Sequence, residues 1–139
     1  MFITQEDYIQ ISADALNILK QCNENNRIKA ETRAMEEINS YIADKYDMKG
    51  AYEAEDDKRS LLLVGLVCDI ALYYMVLSLS QRMGYEVRKE QYEKAIDFLK
   101  QVQSGKANMN LPPLTDPETG EVESLSVRIG TGTKNNYIW

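Results

Sequence analysis

The sequence contains no histidine, and only two of its 139 residues are cysteine. The absence of histidine removes the commonest general base in catalysis. Two thiols without any imidazole are also too few for a structural zinc site. Cys22 and Cys68 lie far apart in the chain, so a disulfide is only weakly indicated and a reducing cytoplasmic compartment is the simpler interpretation.

Motifs that carry chemistry are missing as well. The chain has no nucleophile elbow, no phosphate-binding loop, no dinucleotide-binding glycine pattern and no metal-ligand spacing. Gly130-Thr131-Gly132 is a lone Gly-x-Gly that no helical pattern follows, so flexibility is its simplest interpretation. We therefore expect a protein that is not an enzyme and that has no catalytic residues, no metal and no cofactor.

Basic residues are also fewer than acidic ones. The 16 lysine and arginine residues are outnumbered by 22 acids, the net charge is -6, and no run of basic residues occurs. Affinity for nucleic acid depends on clustered basic side chains, so a surface that tracks phosphates is disfavoured. The opening residues MFITQEDYIQ lack the basic region and the apolar run that a secretory signal would have.

One stretch, from Leu61 to Leu79, is far more hydrophobic than the rest of the chain, and only Gly65, Asp69 and Ser78 interrupt it. A membrane-spanning helix needs about 20 apolar residues, and an acid at its centre is unfavourable. Asp69 lies near the middle of the stretch, and charged residues flank both of its ends. We therefore expect a helix that is buried in protein and not inserted in a membrane.

Asp69 breaks a local rule, because a buried carboxylate is unfavourable unless it is paired or hydrogen-bonded. A functional interpretation makes it an acid with a raised pKa. A structural interpretation pairs it with an arginine or lysine of another helix, or with a tyrosine hydroxyl. The candidate hydroxyl donors are Tyr41, Tyr46, Tyr73 and Tyr92. We favour the structural interpretation, since one carboxylate without histidine or a second acid makes poor catalysis.

Helical periodicity predicts amphipathic helices before this stretch. Thr4 is expected to cap a first helix, and Ser12-Ala13-Asp14 a short second one. Apolar residues at spacings of three and four predict a third helix from about Arg27 to Lys45. The charged face of this helix, which includes Glu31 and Glu37, is expected to point outward.

The segments around the central stretch are predicted from their composition. Residues 47–55 are expected to form a polar loop, and Asp56 or Asp57 to cap the central helix. A last helix is predicted from about Val87 to Gln103, with Gly105 in the left-handed conformation that ends it.

Beyond Gly105 the composition changes, since all three prolines lie there and helix formers are few. The fold that we expect is all-α, a small four- to five-helix bundle around a central buried helix, formed by residues 1–105. An extended C-terminal arm, residues 106–139, is expected to follow. A short alternating pattern indicates a strand or hairpin in this arm.

The arm carries the residues that we expect to bind a partner. Three apolar positions that alternate with polar ones indicate a strand that could add to the sheet of a partner. The last residues offer amphipathic aromatic anchors, which are favoured at interfaces, and folding back onto the body is the alternative. These residues are Leu125, Val127, Ile129, Asn135, Asn136, Tyr137, Ile138 and Trp139.

Four passages of the chain are similar to one protein family. They are Met1–Asp7 (MFITQED), residues 34–46 (AMEEINSYIADKY), residues 67–73 (VCDIALY) and residues 88–106 with their closing Gly-Lys. In this order they resemble the small head–tail connector (adaptor) proteins of tailed bacteriophages, closest to the Mu-like prophage branch. The resemblance covers residues 1–106, and the arm beyond them carries no motif of the family.

The resemblance implies a structural protein of the virion without enzymatic activity. Such proteins form a ring, often of twelve copies, under the portal protein, where C-terminal segments of related adaptors dock. The ring extends the DNA channel and offers a platform to stopper or tail proteins. Genomic DNA would pass through it without sequence-specific binding, and no membrane is involved. The implied location is the virion, and the host cytoplasm during assembly.

Two other interpretations stay open at this point. One is a different helical interaction module, such as a tail-completion protein or a cellular adaptor. The other is an enzyme that depends on Asp69 and on tyrosines, which the missing histidine disfavours. The connector is the interpretation that we prefer.

Overall fold

The computed structural model describes residues 2–82 and 84–114. This part of the chain contains six α-helices and no β-strand, which confirms the all-α fold predicted from the sequence. A 3₁₀ turn, Asp56–Lys58, precedes the fifth helix. The helices are α1 Gln5–Ile11, α2 Ala15–Gln21, α3 Glu24–Ile42, α4 Met48–Glu53, α5 Leu61–Leu77 and α6 Tyr85–Ser104.

The central helix α5 forms the core of the fold. Side chains on all of its sides are buried, among them Leu63, Val67, Ile70 and Met75. α3 and α6 pack along it as predicted, and α1 and α2 also contact it. Across residues 2–82 and 84–114, every helix is too short or too polar to cross a membrane.

Local sequence determines where several helices begin and end. Thr4 caps α1 as predicted, and its backbone amide donates to the Asp7 carboxylate at 2.7 Å. α3 begins about one turn earlier than predicted, because the Asn23 side chain accepts a hydrogen bond from the Asn26 amide at 2.8 Å. Gly105 has a φ of 88°, which confirms the predicted left-handed end of α6.

The polar loop predicted at residues 47–55 is wrong, because α4 occupies most of it. The Asp47 carboxylate accepts a hydrogen bond from the Gly50 amide at 3.1 Å and so starts the helix. Met48 and Ala51 point inward and are buried. Two buried apolar residues in a helix of six residues give too little periodicity for a prediction.

The predicted cap of α5 is also wrong. Asp56 and Asp57 lie in the 3₁₀ turn, which ends before the first residue of α5. The cap is Ser60, whose hydroxyl accepts a hydrogen bond from the Leu63 amide at 3.3 Å. Aspartate and serine are both common as helix N-caps, so composition alone could not distinguish Asp56, Asp57 and Ser60.

Arg59 joins the start of α5 to the N-terminal segment. Its Nη1 donates to the Asp7 carboxylate at 2.6 Å and to the Phe2 carbonyl oxygen at 2.7 Å. Burial raises the pKa of Asp7, but hydrogen bonds from Arg59 and Thr4 outweigh burial and hold this pKa below its usual value. Asp7 therefore contributes stability at neutral pH, and this contribution is lost as the pH falls through the lowered pKa.

The first residues after α6 pack on the helical body. The Met109 amide donates to the Tyr46 hydroxyl at 3.1 Å, and the Asp47 amide donates to the Pro112 carbonyl oxygen at 2.8 Å. The side chains of Met109 and Leu111 are buried in the same core as the helices. The compact body therefore extends beyond α6 into the first part of the predicted arm.

Leu111→Ala is expected to lower the free energy of unfolding by about 2–3 kcal/mol, because it leaves a cavity under the segment that follows α6. Asn110→Ala is the matched control, since Asn110 is exposed and its loss should change the stability by less than about 0.5 kcal/mol. Urea denaturation followed by far-UV circular dichroism measures both variants. Unchanged stability of Leu111→Ala would contradict the packing of this segment on the body.

Candidate interaction surfaces

The residues predicted to bind a partner lie outside the part of the chain that the structure describes, so they stay a prediction. These residues are Leu125, Val127, Ile129, Asn135, Asn136, Tyr137, Ile138 and Trp139. The described body offers other features for interaction. They are an acid–arginine pair with a cavity beside it, a tyrosine cluster, and two exposed leucines.

Asp69 of α5 faces Arg88 of α6. The Asp69 Oδ1 and the Arg88 Nη1 are 3.9 Å apart, which makes an ion pair without a hydrogen bond. Burial raises the pKa of Asp69 to about 6, although the Arg88 charge acts in the opposite direction. Of the two kinds of partner expected for Asp69, the arginine is present. The hydroxyls of Tyr46 and Tyr92 bond elsewhere, and none of the four candidate tyrosines bonds to Asp69 within the described residues.

Arg88 is almost completely buried, with 8% of its side chain exposed. Its Nη1 atom finds no hydrogen-bond acceptor among the described residues, although buried polar atoms are almost always bonded. Arg88 also lines a cavity of about 220 Å³ at the turn between α5 and α6, and Ile18, Leu79 and Val87 form its apolar wall. This end of the body thus combines a buried cation with an apolar cavity.

A cluster of tyrosines joins α3, α5 and α6. The Glu37 carboxylate accepts hydrogen bonds from the hydroxyls of Tyr74 and Tyr92 at 2.7 and 2.8 Å. The ring of Tyr73 stacks on Tyr92 with centroids 4.3 Å apart, and the Arg33 guanidinium lies 4.1 Å from the Tyr74 centroid. Burial raises the pKa of Tyr74 and Tyr92, and the Glu37 carboxylate raises both further, so both hydroxyls stay protonated at neutral pH.

Sequence periodicity predicted neither the tyrosine cluster around Glu37 nor the burial of the Glu31 carboxylate. The prediction that Glu31 and Glu37 point outward is wrong, because Glu31 is buried and accepts a hydrogen bond from the Tyr8 hydroxyl, and Glu37 bonds two tyrosines. Arg27 Nε lies 3.4 Å from the Glu31 carboxylate. One signal was available, since Glu31 precedes the buried Ala34 by three positions and so shares its helix face.

Two leucines at the start of α5 are exposed although the middle of the helix is buried. Leu61 exposes 77% of its surface and Leu62 exposes 47%. The segment before them, residues 53–58, carries four exposed acids and one exposed lysine. Single exposed leucines are ordinary, but two adjacent ones beside an acidic segment form a distinct surface.

The described body offers little to metal-ion or thiol chemistry. In residues 2–82 and 84–114 there is no group of three or more side chains that could hold a metal ion. Cys68 is fully buried, and burial raises the pKa of its thiol, so it stays protonated and is a poor nucleophile.

Comparison with protein families found a match that covers most of the chain. A family model described as "Bacteriophage Mu, Gp36" matches residues 2–126. The matched range includes all six described helices and the segment that packs on them after α6. Comparison with the curated proteins and with the solved structures found no significant match.

The Asp69 carboxyl carbon is expected to titrate in NMR spectra with a midpoint at about 6, because burial disfavours its charged form. A carboxyl group with a raised folded pKa contributes stability at low pH that is lost as the pH rises through this pKa. We therefore compare the free energy of unfolding of the unaltered chain with that of Asp69→Asn. The difference, unaltered chain minus variant, should fall as the pH rises from 3.8 to about 6. A titration midpoint at or below 3.8 would contradict the burial of Asp69.

Tyr92→Phe is expected to lower the free energy of unfolding by about 1–2 kcal/mol, because the Glu37 carboxylate loses a donor. Tyr41→Phe is the matched control, since Tyr41 packs on the core but makes no hydrogen bond within the described residues. Chemical denaturation measures both. The double variant Tyr74→Phe/Tyr92→Phe should lower the free energy of unfolding by more than the sum of the two single changes, since it leaves Glu37 without either donor. Strictly additive costs would show that the two bonds are independent.

Proposed function

We propose that this chain, which belongs to the bacteriophage Mu Gp36 family, is a head–tail connector (adaptor) of a tailed phage. Family membership indicates a structural or morphogenesis protein of a Mu-like phage. In the proposal, copies assemble in the host cytoplasm as a ring under the portal protein. In the virion this ring extends the DNA channel and joins the capsid to stopper or tail proteins, without any catalytic step.

The observation that carries the proposal is the surface at the start of α5. Leu61 and Leu62 are exposed on a helix whose middle is mostly buried, so the body offers an apolar surface to another protein chain. A ring member needs a compact body together with surfaces that neighbouring copies cover. The described helices and these two leucines support both requirements.

The residues after 114 are proposed to supply the contact with the portal protein. Leu125, Val127 and Ile129 suit the addition of a strand to a sheet of the portal protein. Tyr137 and Trp139 suit aromatic anchoring in pockets of the same partner. The net charge of -6 fits a channel through which DNA slides, because like charge repels the phosphates.

Removal of residues 115–139 is expected to weaken binding to the portal protein of the same phage by about a hundredfold or more, a loss of roughly 2.7 kcal/mol. The helical body should stay folded, because the truncated chain keeps the buried Met109 and Leu111. Native mass spectrometry with the assembled portal protein measures the binding, and far-UV circular dichroism measures the fold.

A full-length chain with residues 115–139 in scrambled order is the matched control for this truncation. It keeps the length and composition of the arm, so it should bind the portal protein as weakly as the truncated chain. Undiminished binding by the truncated chain would exclude the arm as the portal contact. A full-length chain that does not bind the portal protein would contradict the connector function itself.

A further inference from the structure

The leading end of α5 is apolar and acidic. We define it by the exposed Leu61 and Leu62 and by the four exposed acids of residues 53–57. One exposed lysine, Lys58, accompanies them, while the neighbouring arginine is already paired inside the body. Acids therefore dominate the charge beside these leucines.

The trailing end of α5, at the turn into α6, is apolar and carries charges of both signs. It contains the 220 Å³ cavity and Val87, which lines the cavity and exposes 56% of its surface. The positive end of the α6 dipole lies here, and two acids, Asp14 and Glu86, are also present. Its basic side chains are the exposed Arg82 and Lys89 and the buried Arg88, whose charge faces the Asp69 carboxylate.

The Arg88 guanidinium points to a ligand of the trailing end. Its Nη1 is buried without an acceptor among the described residues, and the Asp69 carboxylate at 3.9 Å is too distant for a hydrogen bond. Arg88 lines the cavity, so a carboxylate that enters the cavity would approach its guanidinium, while an aliphatic group would fill the apolar side. The leading end carries both kinds of group.

We propose that copies of this chain associate head to tail, with the leading end of one copy docked at the trailing end of the next. A leucine of the leading end enters the cavity between Ile18, Leu79 and Val87, and an acid of residues 53–57 approaches Arg88. The cavity is large enough for an aliphatic side chain. This proposal rests on the proposed connector function, which requires contact between copies, and it names the surfaces that make the contact.

The charges of the two ends favour this pairing over contact between like ends. Two leading ends in contact would bring the acids of both copies together, whereas the trailing end offers the exposed Arg82 and Lys89 beside its own acids. The two ends lie about 25 Å apart, since α5 has 17 residues at 1.5 Å each. Two different surfaces on one chain give a heterologous contact, which repeats from copy to copy and forms a ring when the rotation closes.

Disulfide trapping with paired cysteine variants tests this arrangement. Leu61→Cys and Val87→Cys are made in separate full-length chains, one of them isotope-labelled, and mixed at high concentration with a mild oxidant. Both positions are more than half exposed, so neither change disturbs the core. Mass spectrometry separates mixed dimers from like dimers. We expect mixed dimers to exceed like dimers by about tenfold, a preference of roughly 1.4 kcal/mol.

Two controls accompany the trapping. Ile28→Cys is the matched variant, because Ile28 is an apolar residue of α3 that exposes 46% of its surface and belongs to neither end. Its mixture with either test variant should give no such preference for mixed dimers. The unaltered chain should form no disulfide dimer, since Cys22 and Cys68 are buried.

Two results would overturn the head-to-tail contact. Like dimers of Leu61→Cys as abundant as mixed dimers would indicate a symmetric contact between leading ends. Mixed dimers no more abundant than with Ile28→Cys would show that the leading and trailing ends do not contact each other. The proposed function is tested separately, by binding to the portal protein. Portal binding without mixed dimers would support the connector function and exclude this contact between copies. Mixed dimers without portal binding would support the contact and exclude the connector function.

Discussion

The burial of α5 is the constraint on which the rest of the structure depends. Its apolar residues lie on all sides, and ten of them are buried, so a single partner helix could not cover it. α3 and α6 pack along it, α1 and α2 add further contacts, and the segment after α6 returns with Met109 and Leu111 to complete the core. The arrangement of the chain thus follows from one helix that must be kept from water.

Hydrophobic burial does not by itself decide how the other helices are rotated against α5, because a helix that is apolar all round accepts many rotations. Carboxylates with directional contacts supply this information. Asp7 bonds the arginine just before α5, and Glu31 joins α3 to α1. Glu37 joins α3 to both α5 and α6, and Asp69 faces α6. Although most acids of the described residues are exposed, the hydrogen bonds of Asp7, Glu31 and Glu37 connect the helices at defined points, and the ion pair of Asp69 adds a contact without that directionality.

The range of each interaction decides how much of this could be predicted from the sequence. α1, α5, α6 and the glycine that ends α6 depend on neighbours a few residues away, so periodicity and capping residues predict them. α4 is too short for periodicity, and Ser60 competes with two equally good caps beside it. Glu31 and Glu37 were misplaced because periodicity assigns a charged residue to the solvent by default. The arginine partner of Asp69 was one of several open choices, since pairing between α5 and α6 depends on side-chain reach that sequence spacing does not contain.

A connector has to fold before its partners are present and yet keep surfaces that only its partners cover. On the proposed function, different groups serve these two tasks. The internal carboxylate contacts stabilise the single chain, whereas the exposed leucines and the cavity beside Arg88 lie at the two ends of α5. Acids next to exposed leucines keep like ends apart, so association depends on a surface that is complementary in both charge and shape. The acids that make the net charge negative would then select the correct neighbour as well as repel the DNA that passes.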